Sequence, residues 1–364
     1  YFCNTSGGAF TVNLPSSPSV GDIVAIKDYG SSFQTHNLTI GRGGSNLNGD
    51  ASDSARSTEN ESLTLVYADA TKGWLAVEEG TGYVGETFIA ASGGTESTCG
   101  DYKIHTFTGP GTFTVSQTAS SPSTNSVDYF VVAGGGGGSN QPPSPGQGGG
   151  AGGFRLSNST CMPAPTTSPL ANPTGITATV AAFPITVGGA GGVDTKGSTS
   201  TFSTISSAGG GSGFSPQGSG GSGGGDSGAG NTPPVSPPQG NPGNTGGNNG
   251  GGGGAGGVGG NFIPPNNGGV GGDGSFISPT FGGSNGTPGP VGSTRYFAGG
   301  GAGGYPVGRP SGIAGGAGGG GTGAEGAVGA GNGTTNTGGG GGGGGPGGTG
   351  LGGSGIIIIR YKFQ

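Results

Sequence analysis

VDYFVVAGGGGG, residues 127–138, passes from a β-branched and aromatic run straight into glycine, and GSGIIIIRYKF, residues 353–363, does the reverse. Runs of this composition read as strands. Between them, from Gly134 almost to Ser354, the chain is dominated by Gly, Ser, Pro, Asn and Thr. With 101 Gly and 26 Pro among 364 residues, and only 28% hydrophobic residues, a core of Leu, Ile and Phe cannot extend along the whole length. Glycine does not recur at every third position, so this is not collagen. Left to itself, 139–350 should be disordered, because fixing each backbone unit costs about 1–2 kcal/mol and glycine loses the most freedom. The groups able to offset that cost are main-chain N–H and C=O, at about 0.5–1.5 kcal/mol net per bond. Without a Cβ in the way, polyglycine II-type helices with three residues per turn can approach closely enough to bond to one another. The runs Gly134–Gly138, Gly148–Gly150, Gly250–Gly254, Gly318–Gly321 and Gly338–Gly345 suit such a bundle, with Ala255, Ala302 and Ala317 expected on its outside.

Working outward, DYKIHTFTGPGTFTVS (101–116) reads as a hairpin with its turn at GPG, and the Ile-rich C-terminal strand is expected to return and pair with it. Residues 101–364 then form one unit framed by strand bookends at 101–134 and 354–364. Between the glycine runs lie SNQPPSPGQ (139–147), the Pro-rich stretch 157–186, NTPPVSPPQGNPGN (231–244), NFIPPNN (261–267), SFISPTF (275–281) and TRYFAGGG (294–301). Proline fixes φ and lowers the entropy of the free chain, so these read as stiff loops. They carry Phe262, Ile263, Phe276, Phe281, Tyr296 and Phe297, and Tyr305 follows the last of them. Two readings stand side by side: a displayed recognition surface, or plugs that give the bundle its hydrophobic edge.

Residues 1–80 have ordinary composition. FTVNLP (10–15), DIVAIKDY (22–29), NLTIGR (37–42), LTLVYAD (63–69) and WLAVEE (74–79) alternate apolar and polar residues, separated by Gly-, Ser-, Asn- and Asp-rich turns. The fold class is therefore all-β. A small N-terminal β-sandwich-like module over 1–80 and a linker over 81–100 precede a β-framed glycine-rich domain with polyglycine II-type helices and Pro-rich loops over 101–364.

The chemistry of most function classes is missing. The formal charge is −6, with 11 Lys plus Arg, which argues against a nucleic-acid partner. No run of about 20 apolar residues predicts membrane insertion. Cys3, Cys99 and Cys161 show no CxxC spacing, and His36 and His105 sit alone in strand contexts, so neither a metal site nor a cofactor is expected. In residues 197–364 the acids are Asp226, Asp273 and Glu325, scattered rather than paired across a groove, and no enzyme is expected.

Two resemblances add to this reading. TSGGAFTVNLPSSPSVGDIVAIKDYG, then NLTIGRGGSNLNG and LTLVYADATKGWLAV, resemble a module of marine bacteriophage tail-fibre proteins over about 80 residues. The hairpin, glycine-rich middle and Ile-rich closing strand resemble the glycine-rich domain of phage fibre-tip adhesins over about 260 residues. What these imply is a virion tail-fibre location, a host cell-surface glycan or outer-membrane protein as partner, contacts with other fibre or tail proteins, and a homo-oligomer, trimeric by resemblance. Host attachment would then run through loops on the glycine scaffold. The alternative is a purely structural fibre or extracellular filament subunit, its last strand inserting into a neighbour's sheet edge.

Overall fold

The computed structural model describes residues 1–364 except 81–86, 141–144, 159–166, 215, 247–248, 263–267 and 306–312. The chain divides into two units, Tyr1–Thr87 and Phe88–Gln364.

The first unit holds β1 (Phe2–Cys3), β2 (Phe10–Asn13), β3 (Ile23–Asp28), β4 (Leu38–Gly41), β5 (Ser54–Arg56), β6 (Ser62–Asp69) and β7 (Gly73–Gly80). They form a four-stranded sheet in the order β1-β3-β6-β7 and a three-stranded sheet β2-β4-β5. The period of two works as expected: Val24 and Ile26 of β3 are buried while Ile23 and Ala25 face out. Val24, Ile26, Leu38, Ile40, Leu63, Leu65 and Trp74 share one core cluster. Asp28 occupies an inward position because its carboxylate accepts the backbone N–H groups of Ser32 (3.0 Å), Phe33 (3.2 Å) and Asn60 (3.1 Å).

In the second unit the strands are β8 (Ala90–Ser92), β9 (Thr95–Cys99), β10 (Tyr102–Phe107), β11 (Gly111–Gln117), β12 (Ser126–Val132), β13 (Phe154–Ser157), β14 (Ala171–Asn172), β15 (Ile176–Thr177), β16 (Ala181–Thr186), β17 (Ser200–Phe202), β18 (Ile205–Ser207), β19 (Ser275–Ile277), β20 (Thr287–Pro288), β21 (Arg295–Phe297) and β22 (Ile356–Lys362), with one helical turn, α1 (Pro279–Gly282). The largest sheet runs β14-β13-β12-β22-β10-β9, with β15 also on β12; the others run β18-β17-β16-β11-β8 and β19-β21-β20. The C-terminal strand returns as expected and pairs with β10 on one side and β12 on the other. Both faces of β22 are covered, which explains its unbroken apolar run. Ile356 and Ile358 join Phe130, Phe154, Phe281 and Phe297 on one face. Ile357, Ile359 and Tyr361 join Phe113, Val115, Ile185 and Phe202 on the other.

Two expectations are corrected here. The hairpin turn lies at Gly100–Asp101, where Cys99 faces Tyr102, and not at GPG. β10 and β11 do not pair with each other; GPG is a corner at which the chain leaves one sheet for the next. The partner strand turns the same corner at Gly93 (φ +118°) and Gly94 (φ +65°). This bend lets Phe107 and Phe113 enter one cluster between the sheets. The stretch expected as a linker over 81–100 accordingly supplies β8 and β9, and the second unit begins at Phe88.

The glycine-rich middle is ordered by its main chain. Along 134–139, amides 134 and 137 donate to Ser198 and Thr195, 135 and 138 to Gly353 and Gly350, and 136 and 139 to Gly150 and Gln147, at 2.9–3.0 Å. The carbonyls follow the same period of three: 134 and 137 accept from Gly210 and Gly213, 135 and 138 from Gly191 and Asp194, 136 and 139 from Gly341 and Gly344. Six segments thus surround 134–139, and each bonds to the next around the ring: Thr195 N to Gly192 O, Gly197 to Gly210, Gly150 to Gly211, Gly149 to Gly341, Gly350 to Gly342 and Gly352 to Gly191. Segment 146–153 is enclosed in the same way by 133–139, 208–211, 222–225, 250–253, 301–304 and 338–344. A Cβ added at any of Gly134–Gly138 would stand 1.9–2.0 Å from a carbonyl oxygen of a neighbouring segment. Ala255 and Ala302 are buried rather than outside, and Ala317 is half-buried. Ala255 finds room because its methyl joins the Phe297 cluster at the foot of the bundle.

Candidate recognition surface

Register fixes the direction of every glycine segment. Segment 134–139 leaves β12, so its later residues lie away from the sheets, and numbering that rises or falls against it orients each neighbour. Residues Ser139, Asp194, Gly213, Gly225, Gly304, Ala324 and Gly344 all lie at that remote end, bonded to one another's segments at the same level. Among the described residues, 140, 145, 193–194, 214, 216–217, 226–227, 245–246, 249, 261–262, 268, 305, 325–328 and 345–348 adjoin segment ends at the remote end. The Pro-rich loop 231–239 lies instead at the sheet end, where Phe154 N–H donates to Gln239 O.

Of the residues expected at a recognition surface, most belong to the sheet end. Phe276 (β19), Phe281 (α1), Tyr296 and Phe297 (β21) stand there, and Phe281, Tyr296 and Phe297 are buried. Phe297 packs its ring 4.7 Å from Phe130, and Phe281 lies under the Arg360 guanidinium at 4.8 Å. Phe276, half-buried, meets Tyr296 at 5.4 Å. For Phe281 and Phe297 the plug reading describes the packing, since both join Phe130, Ile356 and Ile358 on one face of β12 and β22, whereas Phe276 and Tyr296 pack on each other outside that cluster. Tyr305 is at the remote end but only 1% exposed, bridged to Glu325. Phe262 is half-buried, and Ile263 lies outside the described residues.

The remote end displays side chains that composition did not single out. Val193 (41% exposed), Phe214 (40%) and Val328 (64%) stand in its turns. Ser139 and Gln147 close the base of one loop, Ser139 Oγ donating to Gln147 Oε1 at 2.6 Å and accepting from Gln147 N–H at 2.7 Å. Asp194 accepts the backbone N–H of Asn140, yet burial raises its carboxyl above the usual range. Among residues 134–355 the described carboxylates are Asp194, Asp226, Asp273 and Glu325. All but Asp273 stand at the remote end; Asp273 accepts Ala317 N–H near the sheets. No group of three or more His, Cys, Asp or Glu among the described residues could hold a metal ion.

His105 is buried between the sheets, with Nδ1 2.7 Å from Gly93 O and Nε2 3.1 Å from Tyr361 Oη. Burial lowers its pKa, while the Gly93 carbonyl and Glu96 pull it back up and Lys103 adds to the lowering. The unfolded chain binds a proton near pH 6.5 that the folded core resists, so this stabilisation is present above pH 6.5 and is lost as pH falls toward the folded value. Between pH 7 and pH 5 the melting temperature of the wild type should therefore drop further than that of His105→Gln. Equal drops measured by circular dichroism would show that the fold leaves the proton affinity of His105 unchanged.

Residues 108–362 match a family described as a glycine-rich domain, from the GPG corner through β22. No curated protein matches the chain.

Proposed function

The chain belongs to this glycine-rich domain family, and on that footing we propose that it is a bacteriophage tail-fibre or fibre-tip protein that attaches to a host surface through the remote end of its bundle. The observation that carries the reading is the segregation of the connections. The three-residue hydrogen-bond period supports a polyglycine II-type scaffold whose amides and carbonyls are satisfied internally, so its end turns can differ without disturbing it. Turns held on such a rigid body lose little entropy when they bind. β22 is paired on both sides within its own chain, which favours an adhesin over a filament subunit that would lend this strand to a neighbour. The N-terminal module would attach or continue the shaft, as a homo-oligomer that the resemblance makes trimeric. The partner would be a surface glycan or outer-membrane protein, and many copies on one virion would raise avidity. No catalytic step is assigned to the chain.

The test is binding of the labelled full chain to a panel of Gram-negative cells, beside a variant with 214–217 and 325–328 replaced by Gly and Ser. Binding by the wild type and at least tenfold weaker binding by the variant, with unchanged melting, is the expected outcome. Equal binding by both would remove these turns, and no binding by either would favour a structural subunit.

A further inference from the structure

We propose that Val193, Asp194, Lys196, Phe214 and Gln217 form a binding patch for an uncharged carbohydrate; the proposal rests on the attachment reading above. These residues sit on three adjacent segments around the outer end of 134–139. Asp194 N–H donates to Gly138 O, Gly213 N–H to Gly137 O, and Gly137 N–H to Thr195 O. Across the patch, Lys196 N–H donates to Gln217 Oε1 at 3.4 Å. All but Asp194 are exposed.

The patch is held before any ligand arrives. Ser212, fully buried, donates its hydroxyl to Phe214 O at 2.8 Å and accepts Phe214 N–H at 3.4 Å. Ser212 N–H in turn donates to Gln217 O. One phenyl ring and one isopropyl group are too little apolar surface for the core of a protein interface, which buries about 800 Å² per partner. They suit the C–H face of a sugar ring. A sugar's hydroxyl edge needs a polar partner beside the apolar one: Gln217 is exposed, its Oε1 held by Lys196 N–H and its Nε2 directed to donate to a ligand hydroxyl. Charge then selects within carbohydrates. Among the described residues at this end the carboxylates Asp194, Asp226 and Glu325 outnumber the one cation, Lys196, which favours an uncharged over an anionic polysaccharide.

The experiment applies the full chain to an array of galactose-, glucose- and mannose-terminated oligosaccharides together with sulfated and uronic-acid glycans. The same chain is then applied to cells treated with periodate, which cleaves vicinal diols, or with proteinase. Retention on uncharged glycans, about tenfold weaker for Phe214→Ala and unchanged for Val180→Ala, an exposed residue between β15 and β16, is expected, along with periodate-sensitive cell binding. Circular dichroism melting checks that Phe214→Ala remains folded. Retention only on anionic glycans overturns the proposal. So does cell binding that proteinase abolishes and periodate spares, which leaves the attachment reading intact with a protein receptor. Array binding without binding to any cell would keep the patch and remove the attachment reading.

Discussion

Gly136→Ala should unfold the second unit roughly 10 °C earlier than the wild type, whereas Gly189→Ala, in a neighbouring segment, should leave melting unchanged or slightly raised. The new Cβ at 136 would stand 2.0 Å from Gly211 O and 2.5 Å from Gly211 C. Neither side can yield alone. Gly136 donates to Gly150 and accepts from Gly341, while Gly211 donates to Ser222 and accepts from Gly150. Relief therefore means shifting several bonded segments, a cost of about 3 kcal/mol or more, comparable with severe overpacking. In a domain of this size each kcal/mol moves the midpoint by roughly 2–4 °C. At Gly189 nothing lies within 4 Å of the added methyl, and its φ is not in the left-handed range. There alanine removes only unfolded-state freedom, worth about 0.4–1 kcal/mol in its favour. Equal shifts for the two variants, followed by amide circular dichroism, would mean that close approach of backbones does not hold this unit together.

That contrast also marks what the sequence could show. Where side chains alternate, the strands were legible: β3, β4, β6 and β7 fall on the runs that period two selects, and β12 and β22 on the apolar bookends. β9 was not, because TESTC is an exposed edge strand with no apolar face to betray it. Without β9, GPG reads as the hairpin turn, although the same signal serves equally well for a corner between sheets. The glycine runs announced main-chain packing, but their order in the lattice was unreadable. Segments without side chains carry nothing to choose 191–194 rather than 241–244 as a neighbour of 134–139; the loops and the sheet register decide it. The aromatics were ambiguous for a related reason. Phe281 and Phe297 lie between glycine runs as a displayed residue would, and only the pairing of β12 with β22 shows that an apolar face there needs a cover. Phe214 and Val193 are not legible as a site, because one aromatic in FSPQ and one Val beside Asp194 have no periodicity to signal one.

The strand that closes the fold should also be the one it cannot lose. A chain ending at Gly355 is expected to lose slow amide exchange throughout 134–354 while keeping the blue-shifted fluorescence of Trp74. Trp74 is the one tryptophan of the chain and is fully buried in the first unit, so its emission reports that unit selectively. In the second unit, Ile356, Ile357, Ile358, Ile359 and Tyr361 are all fully buried. At about 2 kcal/mol for each side chain, their removal forfeits about 10 kcal/mol of apolar burial. A whole domain is stable by only about 5–15 kcal/mol. The loss is also structural, since β10 and β12 meet only through β22 in the large sheet, and the two clusters on its faces would open together. The bundle depends on that sheet because 134–139 and 349–355 run directly out of β12 and into β22, which sets their register against each other. Glycine segments have no side chains with which to recover that register once the strands part. Retained amide protection in the truncated chain would show that the lattice folds by itself, with the strands as a covering.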